Sequence, residues 1–208
     1  MKIDYLAFPA AILAMALVSC ENPADKTAKA DVKGAVAKTE DNAAGTKYVF
    51  APESKIEFTG SKVTGKHDGG FKAFTGHFTV KDGAPIGNDH KVEIDMTSTF
   101  ADAEKLTGHL KSPDFFDVEK YPKTTFDVTE IKKDSDTAYT VSGNFKLHGV
   151  EKNISFPATV SQNGETVSIK SEFNINRKDF GIVYAGKADD LIRDEVVIRL
   201  DLTAKPGA

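Results

Sequence analysis

Two residue types are nearly missing from this sequence of 208 residues: it has no tryptophan, and Cys20 is its single cysteine. One cysteine excludes an intrachain disulfide, so packing and backbone hydrogen bonds must stabilise the fold. The 14 phenylalanines offer a large apolar surface for that packing. The length allows one domain of medium size with a real core.

Charge and histidine spacing exclude several classes of function. The formal net charge of −4 gives no general attraction to nucleic acid, and we predict no nucleic-acid partner. The five histidines form no HExxH motif and no close His/Cys set, and no GxSxG motif occurs. We therefore predict no catalytic residues, no metal and no cofactor, and we interpret the protein as a non-enzyme.

The longest apolar run, Leu6 to Val18, lies close to the N-terminus. It is too short for a membrane-spanning helix, which needs ~20 apolar residues, and it fits the apolar region of a secretory signal. The sequence Leu-Val-Ser-Cys that ends at Cys20 resembles a bacterial lipobox. We predict a lipoprotein signal peptide over residues 1–19 and a lipid anchor on Cys20. An ordinary signal peptide with an incidental cysteine is the alternative.

The next segment, residues 20–46, is composed mainly of alanine, lysine, threonine and acidic residues. Such a composition buries too little apolar surface to offset chain entropy, so we expect a lipid-anchored disordered tether. A flexible coil of this length spans roughly 25–30 Å. The protein would then be exported and held at a membrane, facing the periplasm or the cell surface. An alanine-rich helix is the alternative for this segment.

From Lys47 onward the apolar residues alternate with polar ones, as in strands with one buried face. This alternation favours an antiparallel sheet, because parallel strands are apolar on both faces. Eight runs favour closure into an all-β barrel, with a sandwich as the competing architecture. One helical insertion is predicted at about residues 100–120. The eight runs span residues 56–58, 74–80, 92–100, 126–128, 139–147, 154–160, 167–175 and 196–202.

The inward parity of the strands is rich in phenylalanine and nearly free of charge. Small residues share that parity at Gly76, Ser98, Gly143, Ala158 and Ser171, and they could leave a lengthwise gap for one slender apolar chain. The alternative is a solid core, in which the glycines serve barrel curvature. The predicted pore lining comprises Phe58, Phe74, Phe78, Ile94, Met96, Phe100, Phe115, Phe116, Phe126, Phe145, Phe156 and Phe173.

Four motifs in order resemble those of the YceI-like family. They are GHLKSPDFFDVEKYP at 108–122, VSGNFKLHGVEK at 141–152, FNINRKDFGI at 173–182 and DEVVI at 194–198. The resemblance implies a domain over residues 47–204, folded as an eight-stranded, lipocalin-like antiparallel barrel. It also implies a pore that holds a long isoprenoid or similar amphiphile, such as a polyprenyl chain, a quinone or a fatty-acid derivative. Members of this family are typically exported and are not known for catalysis.

Three polar residues near the motifs are candidates for a mouth that contacts a ligand headgroup. His109 follows the predicted helix, where the helix dipole alone would also stabilise it. Arg177 and Asp179 follow an aromatic-rich strand, where a local ion pair that braces the loop is the alternative. The functional alternatives are a structural or interaction barrel without ligand and, less favoured, a lipid-ester hydrolase. The sequence does not decide between a monomer and a homodimer.

Overall fold

The computed structural model describes residues 22–38, 44–87 and 89–207. The predicted signal peptide and Cys20 lie outside these residues. The described residues contain one α-helix, α1 (Glu104–Lys111), and 3-10 turns at Pro23–Lys26, Met96–Ser98 and Arg177–Phe180. Their strands are, in chain order, β1 (Ala28–Lys29), β2 (Asp31–Gly34), β3 (Thr46–Phe50), β4 (Lys55–Lys62), β5 (Gly65–Phe71), β6 (Phe74–Lys81), β7 (Ala84–Pro85), β8 (Lys91–Asp95), β9 (Thr99–Ala101), β10 (Lys123–Lys133), β11 (Ala138–Leu147), β12 (Val150–Asn163), β13 (Thr166–Asn176), β14 (Gly186–Lys187) and β15 (Asp190–Pro206).

Eight of these strands close into an antiparallel barrel. Going round the wall, β3 is followed by β6, β8, β10, β11, β12, β13 and β15, which pairs again with β3. The long pairing of β13 with β15, which includes Phe173 opposite Ile198, closes the ring. The predicted eight-stranded antiparallel barrel is confirmed. Closure pairs most of the backbone edges that an open sheet would leave exposed.

At three places in the barrel, the chain bends at the end of one strand and continues as the next strand. β3 leads into β4, β5 into β6 and β8 into β9, while β4 pairs with both β15 and β5, and β5 pairs with β9. The pairing of β3 with β6 and the pairing of β4 with β5 are separated by an interruption around residues 51–54 and 72–73, where the chain bends. We call the end of the barrel near α1 the upper end and the end with the β12–β13 turn the lower end.

Helix α1 and the turn after it cover the upper end. The helix is shorter than the insertion expected at about 100–120, because Thr99–Ala101 is a strand and residues 113–116 form a turn. Leu110 and Phe115 are buried. The ring of Phe116 lies 6.2 Å from the rings of Phe58 and Phe71, so this turn seals the barrel with aromatic side chains.

The N-terminal segment (residues 22–38) is ordered against the barrel, so the expectation of a disordered tether over residues 20–46 is wrong for this part of it. β12 and β13 pair only beside their turn, at 159–163 with 166–170, and then diverge. β1 lies in the gap parallel to β13, and β2 lies antiparallel to β12. Ala30, which is 3% exposed, joins the hydrophobic core, and Val32 packs against it. Backbone pairing in the gap, together with this inward face, supplies the stability that composition alone did not indicate.

Outside the gap, side chains fix the same segment. The Asn174 side-chain amide donates to the Ala24 carbonyl (3.2 Å) and to the Thr27 hydroxyl (3.0 Å). At the other end, the Asn144 side chain accepts from the Val36 N–H (3.1 Å) and donates to the Val36 carbonyl (2.7 Å). Residues 22–38 therefore form part of the wall.

The small inward residues do not leave the lengthwise gap that their pattern suggested. A Cβ on Gly76 would lie 2.1 Å from the ring of Phe50, and one on Gly143 would lie 2.5 Å from the ring of Phe126. The space beside these glycines is therefore occupied by phenylalanine rings, as the solid-core alternative expected. Of the five small residues, only Ala158 lines an interior cavity.

Candidate functional site: two apolar cavities in the barrel

The upper cavity has a volume of about 170 Å³ and lies under α1. Its wall is formed by apolar side chains from most of the strands of the barrel, with Arg177 as its one charged residue. Aromatic side chains provide much of the surface, and the rings of Phe156 and Phe173 stack at 4.2 Å. A cavity of this size with apolar walls stays free of water and accepts apolar ligands.

The lower cavity has a volume of about 200 Å³ and lies toward the β12–β13 turn. Its wall is mixed, because polar and charged side chains accompany the apolar ones: His77, His90, Lys91, Asp136, Tyr139 and Gln162. The two cavities share Val92, Phe156 and Leu202 in their walls. The shared residues show that the cavities lie next to each other inside the barrel, and most of the polar groups line the lower one.

Ten of the twelve predicted lining residues face these cavities. The upper cavity is lined by Phe58, Ile94, Met96, Phe115, Phe116, Phe126, Phe145, Phe156 and Phe173, and the lower one by Phe78 and again Phe156.

Phe74 and Phe100 lie elsewhere, in a groove of about 730 Å³ on the barrel wall beside the bends at 51–54 and 72–73. The expectation that these two residues line the interior cavities is wrong. For Phe100 the reason is local: the 3-10 turn at Met96–Ser98 interrupts the alternation before β9 begins.

Arg177 is buried at the wall of the upper cavity and is 4% exposed. Its guanidinium donates to the carbonyls of Ile182 (2.8 Å) and Arg193 (3.1 Å), and it lies 3.3 Å from the carboxylate of Asp194. Burial lowers the pKa of Arg177, and Asp194 opposes this shift. Asp179 is exposed, so the expected pairing of Arg177 with Asp179 is replaced by the longer-range pair with Asp194.

His109 supports the cover of the upper end. Its ring contacts those of Phe115 at 5.0 Å and Tyr184 at 5.1 Å, both edge to face. Its Nε2 lies 2.9 Å from the Asp114 carboxylate. His109 is not among the residues that line the two cavities. The structure therefore does not bring the three residues of the predicted polar mouth together.

Several lining residues escaped the sequence analysis. Ile154, Ile198 and Leu200 face the upper cavity and follow the alternation of their strands, so the pattern contained them. His90 shares the inward parity of Val92 and Ile94, which was the available signal for a polar residue inside the barrel.

Within residues 22–38, 44–87 and 89–207, no group of three or more His, Cys, Asp or Glu side chains could hold a metal ion. The part of the chain that the structure describes also contains no helix long and apolar enough to cross a membrane.

Residues 48–204 match the YceI-like domain. The chain belongs to the YceI-like family. A UPF0312 protein of Yersinia enterocolitica is 30% identical to this YceI-like chain over 161 residues, which is 72% of the chain and 82% of the relative. UPF0312 proteins of Pseudomonas putida are 32% identical over 120 residues. These residues make up 55% of this chain, and the chain spans 62% of the length of these relatives.

Solved structures show the same fold. BcnA of Burkholderia cenocepacia superposes with a TM-score of 0.66 at 25% identity, covering 74% of this YceI-like chain and 97% of BcnA. A polyisoprenoid binding domain from Saccharophagus degradans superposes with a TM-score of 0.64 at 18% identity, covering 77% and 98% of the two chains. The family assignment made from the four sequence motifs is confirmed.

Proposed function

We propose that this protein binds a long apolar lipid of the isoprenoid type inside its barrel and sequesters or carries it. The observation that carries the proposal is the pair of adjacent cavities with largely apolar walls. The fold shared with a polyisoprenoid binding domain supports the same ligand class. A solid structural barrel is the weaker alternative, because a barrel without a ligand gains no stability from interior cavities.

The size of the hydrophobic effect indicates what length of ligand is needed. Each buried CH₂ group contributes ~0.8 kcal/mol, so a ten-carbon chain would gain roughly 8 kcal/mol. Association itself costs about 4–15 kcal/mol in lost translational and rotational freedom. Short apolar molecules would therefore bind weakly, and a longer chain that fills both cavities is the ligand that the barrel suits.

We do not propose catalysis. In the described part of the chain, the hydrogen bonds join no serine or threonine hydroxyl to a histidine ring, as a nucleophile and its base would require. His67 and His109 bond to carboxylates, and His90 accepts from a backbone N–H. The described residues therefore offer no arrangement of side chains that supports a lipid-ester hydrolase.

The location in the cell envelope is part of the proposal. It is supported by the apolar run before Cys20 and the lipobox that ends there. Mass spectrometry of the N-terminal peptide from the membrane fraction would test it. A diacylglycerol on Cys20 is the expected result, and an unmodified Cys20 would overturn this part.

Gly60 gives the sharpest test of lipid binding. It lines the upper cavity, and a Cβ placed there would meet nothing within 4 Å, so Gly60→Leu adds a side chain to the cavity without a backbone clash. Organic extracts of the purified wild-type protein should contain a long-chain lipid by mass spectrometry, and Gly60→Leu should contain much less.

Gly108→Leu is the matched control, because Gly108 is exposed on α1 and also has open space around it. This variant should keep the lipid content of the wild type. Absence of an apolar ligand from wild-type protein of several hosts, together with no binding of added polyprenols, would contradict the proposal. Equal lipid content in Gly60→Leu would show that the ligand lies elsewhere.

A further inference from the structure

His90 is a buried polar residue in the wall of the lower cavity. It immediately precedes β8 and is 2% exposed. Its Nδ1 accepts a hydrogen bond from the backbone N–H of Thr79 on β6, at 3.2 Å. This bond fixes the ring between the neighbouring strands β6 and β8 and determines which ring nitrogen carries the proton.

The second ring nitrogen has no hydrogen-bond partner among the residues that the structure describes. Because Nδ1 accepts a hydrogen bond, the proton of the neutral imidazole lies on Nε2. Nε2 is buried and forms no hydrogen bond with the described residues. A buried donor without an acceptor destabilises a protein by ~1–3 kcal/mol, so such a group is unusual unless something else satisfies it.

The surroundings keep the ring neutral. Burial is the main cause that lowers the pKa of His90, and Lys38 and His77 act in the same direction. The Asp89 carboxylate and the Gly87 carbonyl oppose this shift. Asp89 is itself engaged, because its Oδ2 accepts from the Thr79 hydroxyl at 3.1 Å, while its Oδ1 lies 3.6 Å from Nδ1.

We propose that Nε2 of His90 donates a hydrogen bond to an uncharged oxygen of the bound lipid, a hydroxyl or carbonyl in the lower cavity, while the apolar chain occupies the upper cavity. This inference rests on the proposed function and adds the chemistry of the ligand's polar end. A neutral donor suits a neutral acceptor, since the ring offers an anionic headgroup no countercharge for the hydration that the headgroup would lose. Lys91 also lines the lower cavity, but its Nζ lies 3.7 Å from the Asp127 carboxylate, and the carboxylate of Asp136 in the same wall would repel an anion.

Three probes with one prenyl chain separate the possible headgroups: geranylgeraniol, the hydrocarbon of the same chain and the phosphate monoester of geranylgeraniol. Wild-type protein should bind the alcohol more tightly than the hydrocarbon and the phosphate. His90→Phe removes the donor and keeps a ring of similar shape. We expect its affinity for the alcohol to fall roughly 5- to 150-fold, the equivalent of one lost buried hydrogen bond, with the hydrocarbon unaffected.

His67→Phe is the matched control, because His67 bonds to Asp102 and lines neither cavity, so this variant should bind the alcohol and the hydrocarbon as the wild type does. Nitrogen-15 NMR of wild-type His90 gives a second readout that does not depend on a variant folding. The Nε2–H resonance should shift on addition of geranylgeraniol and should not shift with the hydrocarbon.

Each failure has its own signature. If His90→Phe lost affinity for both ligands or for neither, the role of His90 would be overturned while lipid binding stayed intact. An Nε2–H resonance that does not shift on addition of geranylgeraniol, as expected if Nε2–H donates to water, would overturn that role too. Tighter binding of the phosphate would overturn the neutral headgroup. If neither the alcohol nor the hydrocarbon bound to wild-type protein, the proposed function would fail, and the role of His90 would fail with it.

Discussion

Introducing a carboxylate at Ala30 tests whether the N-terminal segment is a true wall strand. Ala30 is 3% exposed in the hydrophobic core, and its N–H donates to the Asn174 carbonyl at 2.9 Å. Ala30→Asp would bury an unpaired charge, which destabilises a fold by about 3–5 kcal/mol. The strand can avoid this penalty by leaving the gap, so the loss cannot exceed the free energy with which the strand is bound.

This limit makes the prediction quantitative. In urea unfolding of a chain that starts at residue 22, Ala30→Asp should lose up to about 5 kcal/mol, and its loss should not exceed that of a variant that lacks residues 22–38. Trypsin should also cut Ala30→Asp at Lys29 and Lys33 faster than the wild type, because a detached strand is accessible.

Lys29→Asp is the control, since Lys29 is the neighbouring residue in the same segment but is exposed, and its replacement should change stability by no more than about 0.5 kcal/mol. Wild-type stability in Ala30→Asp would refute the reasoning. A deletion variant as stable as the wild type would show that the segment contributes nothing to the wall.

Two further predictions concern buried charge. Arg177→Met should destabilise the protein by roughly 2–5 kcal/mol in chemical denaturation, because the carbonyls of Ile182 and Arg193 lose a buried donor. Asp179→Asn should be nearly neutral in the same measurement. Equal effects of the two substitutions would contradict the assignment of Asp194 as the partner of Arg177. The lowered pKa of His90 means that the unfolded chain binds this proton first, so stability should fall as the pH drops below about 6.5. His90→Gln should flatten that slope below pH ~6.5 in thermal melts.

The barrel was predictable because its signal is local. Alternation along each strand reports which face is buried, and ten of the twelve predicted lining residues do face the cavities. The prediction failed where the period was interrupted, as at Phe100 after the 3-10 turn. It also failed where partners are distant in sequence, as for Phe50 beside Gly76 and Asp194 beside Arg177.

The N-terminal strands were missed for a different reason. Residues 28–33 read Ala-Lys-Ala-Asp-Val-Lys, which alternates as strictly as any strand of the barrel. Alanine contributes so little apolar surface that the alternation looks like a polar linker. The gap that gives this weak pattern its role arises from the divergence of β12 and β13, which only the tertiary structure reveals.

The position of the N-terminal strands has a practical consequence for work on this protein. The YceI-like domain match begins at residue 48, after the segment that fills the gap between β12 and β13. A recombinant fragment trimmed to that boundary would have a slit along one side and would expose backbone groups and oily side chains that the whole chain covers. If such a fragment failed to retain a lipid, or self-associated through the unpaired edges of β12 and β13, this would result from the truncation and would not be a property of the whole chain.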